Sequence, residues 1–268
     1  MSLPPPSDSA TALVTGASSG IGAAIAAELA GRGHGVTLVA RREDRLKELA
    51  EKLAGKHGVR TETIGADLED PAARDAMAAR IGELGLDVDI LVNNAGFGHS
   101  GDFIKRDRER LLSMVRVNCE ALVDLQARFL PAMVERGRGT VINIASTAAF
   151  QPMPGSATYS ATKHFVLSLS EGVHEEVGGT GVSLTAVCPG PVRTEFMEVS
   201  GIGGAEENTP GMIWSTAEDV AREAVSGADR GKRVVIPGLM NRAGAITGQH
   251  APRAIALPLV RRIYRRST

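Results

Sequence analysis

Tyr159 and Lys163 stand four residues apart in Tyr159-Ser160-Ala161-Thr162-Lys163. In a helix that spacing puts both on one face. The same steps continue to Val166, Ser170 and Val173, so the pair belongs to a largely packed surface. A lysine beside a tyrosine favours the phenolate. An ordinary phenol titrates near 10, and bringing it close to 7 takes about 4 kcal/mol of differential stabilisation. The chemistry this points to is proton transfer at an oxygen. The chain holds only two tyrosines and six lysines, so random placement would give this spacing about once in twenty such sequences.

Two more polar residues occupy informative places. Asn118 falls on the apolar stripe of Leu111, Val115, Leu122, Leu125 and Phe129. A buried amide is costly unless bonded, so it needs partners there; an Asn that merely ties its helix to a neighbour is the plain alternative. Ser146 ends an apolar run, Asn143-Ile144-Ala145-Ser146, where its hydroxyl could donate to a carbonyl oxygen. Taken singly it is an ordinary strand-end serine in a turn.

Thr15-Gly16-Ala17-Ser18-Ser19-Gly20-Ile21-Gly22 follows a first apolar run and opens a helical pattern. Glycines allow a sharp turn and close approach to a pyrophosphate, and the helix N-terminus offers free N–H groups to it. Such turns also serve as plain connections, but strand before and helix after is the context a dinucleotide requires. The spacing is G-x-x-x-G-x-G. At the end of the second apolar run, where a site for NAD would carry an acid, stand Val39-Ala40-Arg41-Arg42. Losing the acid and gaining the forked guanidinium of Arg41 favours a 2′-phosphate, hence NADP(H), over two arginines that only solvate a loop.

The elements that must position these residues alternate along the chain. Strands are expected at Ala12–Thr15, Gly35–Ala40, Arg60–Ala66, Asp89–Val92, Thr140–Ala145, Val182–Val187 and Val234–Ile236. Most are continuous apolar runs, as in parallel strands covered on both faces. Helices are expected at Ile21–Arg32, Arg42–Lys56, Pro71–Leu84, Asp107–Arg136, Ser160–Val177 and Thr216–Ala228. This alternation predicts an α/β fold, a Rossmann-type doubly wound parallel sheet of about seven strands, with ligands at the strands' carboxyl ends. Residues 1–10 read as a disordered lead-in without a signal-peptide pattern. One domain spans 11–237, including a Gly-rich loop at 195–215 that contains Met197, Met212, Ile213 and Trp214. From 238 to 268 runs an extension whose end carries arginines among Ile246, Ile255, Leu257, Leu259, Val260 and Ile263, with no acid from Asn241 on.

Composition narrows the partners. The chain has 268 residues, 43% hydrophobic, with a net charge of −1, enough for one sizeable core. No global basic field favours nucleic acid. Cys119 and Cys188 make neither a disulfide framework nor metal-ligand spacing, and read as reduced core thiols of a cytoplasmic protein. No run of about eighteen apolar residues is present to span a bilayer.

In this order the motifs resemble the short-chain dehydrogenase/reductase family, in its compact single-domain branch, from Thr11 to about Pro237. The marks are Thr15–Gly22, Asp67-Leu68, Asn93-Asn94-Ala95-Gly96, Asn118, Ser146, Tyr159–Lys163 and Pro189-Gly190-Pro191-Val192-Arg193-Thr194. The resemblance implies that Tyr159 exchanges a proton with a carbonyl or alcohol oxygen during hydride transfer, and that Lys163 holds the nicotinamide ribose. It implies that Ser146 orients the substrate oxygen and that Asn118 holds a water linking Lys163 to solvent. For the cofactor it implies Gly16, Ser18, Ser19, Gly20, Ile21 and Gly22 around the phosphates, with Ser18 also within reach of a 2′-phosphate. Asp67 and Leu68 would border the adenine, Asn94, Ala95 and Gly96 the cleft, and Pro189, Gly190, Val192 and Thr194 the nicotinamide amide and pyrophosphate. Arg41 and Arg42 complete the NADP(H) expectation. Family members usually form dimers or tetramers through the long fourth and fifth helices, so a homodimer or homotetramer is implied.

Other readings compete. A non-catalytic dinucleotide sensor could share the fold, but has no need of Tyr159. An epimerase or dehydratase of the extended branch wants a larger C-terminal domain. The arginine-rich tail could lie on an anionic membrane, yet Pro252, Pro258 and Gly248 interrupt it, which favours a tail packed over the active-site mouth. The 195–215 loop and the tail read as a mobile lid over an apolar pocket, favouring a hydrophobic ketone, aldehyde or secondary alcohol.

Overall fold

The computed structural model describes residues 3–196, 200 and 211–267, the side chains at 212, 255, 259 and 263–267 excepted. Seven strands form one sheet: β1 (Ala10–Thr15), β2 (Val36–Ala40), β3 (Thr61–Gly65), β4 (Asp87–Asn93), β5 (Gly139–Ile144), β6 (Val182–Val187) and β7 (Val234–Val235). All neighbours pair in parallel, in the order β3-β2-β1-β4-β5-β6-β7. Successive side chains of a strand face opposite ways. Ala12 and Val14 therefore join one core with Ile25, Leu46 and Val220, while Leu13 joins another with Met77, Leu125 and Met133. The helices carrying those residues, α1 (Gly20–Gly31), α2 (Glu43–His57) and α7 (Ala217–Asp229) on one face, α3 (Pro71–Glu83) and α5 (Ala121–Glu135) on the other, make the sheet doubly wound. α6 (Ala157–Glu176) covers the β5–β6 end of the second face through Val166 and Leu167. The order reverses between β1 and β4, so a cleft opens beyond their carboxyl ends.

The long helix expected over Asp107–Arg136 is interrupted. α4 (Arg108–Val115) passes through a π-turn, Arg116–Glu120, into α5. The wider turn rotates the apolar stripe: Val115, expected inside, is 41% exposed, while Leu122 and Leu125 are buried. Asn118 lies in the π-turn itself, a local geometry enriched at functional sites.

The lead-in expected to be disordered is packed from residue 3. The Leu3 N–H donates to Asp229 at 2.9 Å, its side chain lies against the first core, and Pro4 is buried. The tail also forms helices. α8 (Leu239–His250) packs on the 3-10 turn Thr147–Phe150, and α9 (Arg253–Ser267) follows a break at Pro252 and continues through Pro258. Most of the 195–215 loop expected as a lid lies outside the described residues.

Candidate active site

The carboxyl ends of β1 and β4 are laced together. Thr15 Oγ1 donates to the Val92 carbonyl at 3.1 Å and accepts from the N–H groups of Asn94 and Ala95, both at 3.0 Å. Asn94 Nδ2 donates to the Thr15 and Gly16 carbonyls at 2.9 and 3.2 Å. The turn has no room for side chains. A Cβ on Gly22 would strike the Gly16 carbonyl and the Asn94 amide, and Gly16 itself has a φ of 65°. Gly20 lies under Thr194, whose Cγ2 would be 3.1 Å from an added Cβ. Ile21 is half-buried against the first core.

α1 then begins without help. Its N-cap, Ser19, makes no side-chain cap, and its first turn has no acid. The free N–H groups and positive dipole end fit a pyrophosphate. The Ser19 hydroxyl instead accepts from Arg42 Nη2 at 3.0 Å, and Ser18 Oγ accepts from Arg42 Nε and Nη2 at 3.2 and 3.0 Å. Of the two arginines, it is Arg42 that meets the phosphate loop. Arg41 is 76% exposed, with Nη1 4.0 Å from Asp67 Oδ2. Both lie on the rim where a 2′-phosphate would arrive. Leu68 is buried in the second core, and its carbonyl accepts from Arg74 at 2.7 Å. Its side chain, expected at the adenine border, is thus turned into the core.

The proton-transfer residues converge from β5 and α6. Ser146, extended after β5, caps the 3-10 turn: its Oγ accepts from the Ala148 N–H at 3.1 Å and donates to Pro189 O at 3.4 Å. Ser160 fixes α6 to that turn by donating to the Ala148 and Gln151 carbonyls at 3.1 and 3.0 Å. Tyr159 thereby faces Ser146, with Lys163 one turn further along α6. Burial pushes the Tyr159 phenol up to about 12, opposed by a hydrogen bond with Ser146. Lys163, 5% exposed, is pushed down to about 8 by the same desolvation. Its Nζ lies 5.8 Å from the Tyr159 ring centroid and donates to the Ile144 carbonyl at 2.8 Å. In the protein alone burial sets the direction of the Tyr159 shift, and the Lys163 ammonium is directed at a backbone carbonyl.

Asn118 stands behind this pair. Its Oδ1 accepts from the Phe97 N–H at 3.1 Å, while Nδ2 donates to Phe97 O and Thr162 Oγ1, both at 3.0 Å. A Cβ on Gly96 would come to 2.9 Å from Asn118 Oδ1 and 3.7 Å from Lys163 Nζ. Gly96 therefore lets the β4 loop lie directly over both. Pro189 accepts from Thr147 N–H at 2.8 Å, Gly190 abuts Asn241 of α8, and buried Val192 pairs with Ser215.

Several residues that complete the site escape a reading of the chain alone. A buried polar chain runs from Asn93 to Asn143 at 2.9 Å, then from Asn143 to Gln126 and Ser170 at 2.7 and 2.9 Å. It fixes α5 and α6 on the sheet; Asn93 belongs to a motif already marked, but Asn143, Gln126 and Ser170 look like ordinary polar residues in sequence. The Phe196 ring lies 5.6 Å from that of Tyr159. Arg45 Nη1 donates to Glu195 Oε1 at 2.6 Å, while Arg42 Nη1 donates to Oε2 at 2.9 Å. A cation in the first turn of α2, against the helix dipole, is the signal that could have pointed to Arg45. Both cysteines are buried free thiols, pushed up by desolvation to about 11 at Cys119 and about 12 at Cys188. Among the described residues no group of His, Cys, Asp and Glu could hold a metal.

Known proteins share this architecture. A short-chain dehydrogenase from Sphingobium yanoikuyae, solved in complex with NADPH, superposes with a TM-score of 0.79 at 39% identity, covering 89% of this chain and 92% of that one. A bulky-bulky ketone specific alcohol dehydrogenase from Comamonas testosteroni gives 0.76 at 34% identity, covering 94% and 92%. A very-long-chain 3-oxoacyl-CoA reductase from Pyricularia oryzae is 38% identical over 181 residues, 66% of this chain. The chain spans 54%, 62% and 15% of the lengths of three curated relatives that it matches. The family description short chain dehydrogenase matches residues 10–201. On that match, over most of its length, the chain belongs to the short-chain dehydrogenases.

Proposed function

We propose that the chain is an oxidoreductase that interconverts a ketone or aldehyde with the corresponding alcohol, using NADP(H). The observation that carries this reading is the meeting of Tyr159, Ser146 and Lys163 beside the β1–β4 cleft. The phosphate loop, the open N-terminus of α1 and Arg42 with Ser18 fit a 2′-phosphorylated dinucleotide, and the NADPH complex of the Sphingobium relative agrees. Gly16, Ser18–Gly22, Asn94–Gly96, Pro189, Gly190, Val192 and Thr194 would hold it, with Arg41, Arg42 and Asp67 at the adenosine end. When bound, the nicotinamide supplies or accepts the hydride.

The side chains manage the proton. At neutral pH a phenol with a pKa of about 12 is protonated, so Tyr159 can give its proton to a substrate oxygen as negative charge develops there. Ser146, by turning its one O–H from the long 3.4 Å contact with Pro189 O, can donate to the same oxygen and orient it. The Lys163 ammonium, 5.8 Å from the ring, stabilises the phenolate left behind and, titrating at about 8, can return a proton. Asn118 keeps Phe97 and Thr162 in place and retains one lone pair on Oδ1 for a water beside Lys163. A sensor reading gains no support from any of these contacts. Tyr159→Phe should abolish turnover while NADPH still binds; full activity in that variant would refute the mechanism.

A hydrophobic carbonyl is favoured, since the Phe196 ring stands beside Tyr159 and the Comamonas relative takes bulky ketones. A panel of ketones and aldehydes followed by NADPH oxidation, beside NADH, tests substrate class and cofactor together. A homo-oligomer is supported by an apolar groove of about 570 Å³ on α5 and α6, lined by Val123, Leu130, Pro131, Val134, Leu169 and Val173. Light scattering of the wild type and Leu130→Glu would show one assembly lost. Cytoplasmic residence is supported by the free buried thiols. No described helix is long and apolar enough to cross a membrane. The packing of α8 on 147–150 and of Asn241 on Gly190 supports a tail that covers the site mouth over one that binds lipid.

A further inference from the structure

We propose that Glu195 competes with the 2′-phosphate of the cofactor for Arg42 and Arg45, and so sets the affinity for NADP(H). The inference rests on the NADP(H) reading and adds a residue that opposes it. Arg42 precedes α2, and Arg45 lies in that helix's first turn. Glu195 comes from the far wall of the cleft, directly after Thr194, which seats on Gly20. Its carboxylate gives one oxygen to each guanidinium, Oε2 to Arg42 at 2.9 Å and Oε1 to Arg45 at 2.6 Å. Arg42 at the same time donates to both hydroxyls of the phosphate loop, Ser18 and Ser19. Two guanidiniums on one anion, with two loop hydroxyls held beside them by Arg42, are the groups that a phosphate recruits. The carboxylate here occupies the place of such a ligand.

The strength of the contact decides what it can do. The side chains of Arg42, Arg45 and Glu195 are each a little over 40% exposed, so water can replace the pair and its net contribution is small. A phosphate with nearly two charges can therefore displace the carboxylate. Arg41, beside Asp67 at 4.0 Å, adds a further cation on the same rim. A carboxylate left near a bound phosphate would repel it, so either outcome weakens binding relative to a neutral side chain. The two arginines hold the Glu195 carboxyl down at about 2, which keeps it anionic at any working pH. A nucleotide without the 2′-phosphate makes no demand on this cluster and leaves Glu195 where it is.

The test uses 2′,5′-ADP and 5′-ADP as probes, titrated calorimetrically at low ionic strength into the full-length wild type and Glu195→Gln. Glutamine keeps the size and one acceptor oxygen while removing the charge, and its amide nitrogen cannot accept from the second guanidinium. The variant should bind 2′,5′-ADP about tenfold more tightly, the scale of one lost repulsion plus one lost competing pair, with 5′-ADP unchanged. Unchanged or weaker binding of 2′,5′-ADP would overturn the proposal, because Glu195 would then be a support that aims Arg42 at Ser18. Equal tightening of both probes would overturn it too, since the effect would not be specific to the 2′-phosphate. If the wild type itself shows no preference for 2′,5′-ADP over 5′-ADP, the NADP(H) reading fails first and takes this inference with it.

Discussion

Asn118 Nδ2 donates to Thr162 Oγ1 at 3.0 Å, and Thr162 Oγ1 in turn donates to the Tyr159 carbonyl at 2.7 Å. The π-turn of the long helix is thus bonded to the turn of α6 that lies between Tyr159 and Lys163. The amide also holds both backbone groups of Phe97, so one side chain sets the spacing of three chain segments around the site.

Asn118→Ala should therefore destabilise the protein by about 1–3 kcal/mol, because it removes the partners of both half-buried Phe97 backbone groups and one of the two bonds of the Thr162 hydroxyl. Urea unfolding measures this. kcat should fall by more than NADPH affinity does, since the loss acts on the Tyr159–Lys163 turn; a loss below about 0.5 kcal/mol would show that the contacts are unimportant.

Alcohol oxidation should accelerate with pH between about 6 and 8, while carbonyl reduction stays nearly flat. Oxidation needs the phenolate, which is scarce for a group pushed up to about 12 by burial, whereas reduction uses the abundant phenol. Initial rates in both directions across that range check the prediction. A falling oxidation rate would point to a different base.

Lys163 should make stability rise with pH in a defined window. Unfolded, it titrates near its ordinary 10.5; folded, burial lowers it to about 8. Between these values the unfolded chain holds a proton that the folded chain has lost, so stability increases with pH. The penalty is complete below pH 8 and gone above 10.5, a span corresponding to roughly 3 kcal/mol. Tyr159, raised from 10.0, acts oppositely only above pH 10. Urea midpoints at pH 8 and 10 should show the wild type gaining on Lys163→Met; parallel curves would exclude a depressed lysine.

Gly22→Ala should lower NADPH affinity more than tenfold and destabilise by about 1–3 kcal/mol. The added Cβ meets a backbone carbonyl and a bonded amide rather than a flexible side chain end. Fluorescence titration and thermal melting check the two effects.

Cofactor preference should respond to both arginines but more to Arg42. Arg42→Asp places a carboxylate against Ser18 and Ser19, while Arg41→Asp changes an exposed rim position. The NADPH/NADH ratio of kcat/KM should fall in each variant and fall further in Arg42→Asp. An unchanged ratio in both would remove the assignment.

Much of this was legible before any coordinates. The apolar runs of β1, β4, β5 and β6 and the strand–helix alternation predict a doubly wound sheet, because only strands covered on both faces read that way. Tyr159 and Lys163 share a face by helical spacing alone. What failed to show were features set by long-range contact. The helix expected to be continuous over Asp107–Arg136 carries a π-turn, and no local propensity in Arg116–Glu120 announces it. Residues 3 and 4 looked unstructured by composition, yet they pack, and Asp229, over two hundred positions away, accepts the Leu3 N–H.

The chain by itself determined the glycine turn, the paired Tyr159 and Lys163, and the arginines that stand at the end of β2 in place of an acid. These are properties of neighbouring residues, governed by backbone freedom, helical period and local charge. Only the tertiary structure decided that Arg42 rather than Arg41 meets Ser18, that Glu195 reaches the same guanidinium from the opposite wall, and that burial raises the Tyr159 phenol. Those outcomes depend on which groups the folded sheet brings within a hydrogen bond of one another and how much water it removes, and neither quantity is written in the order of residues.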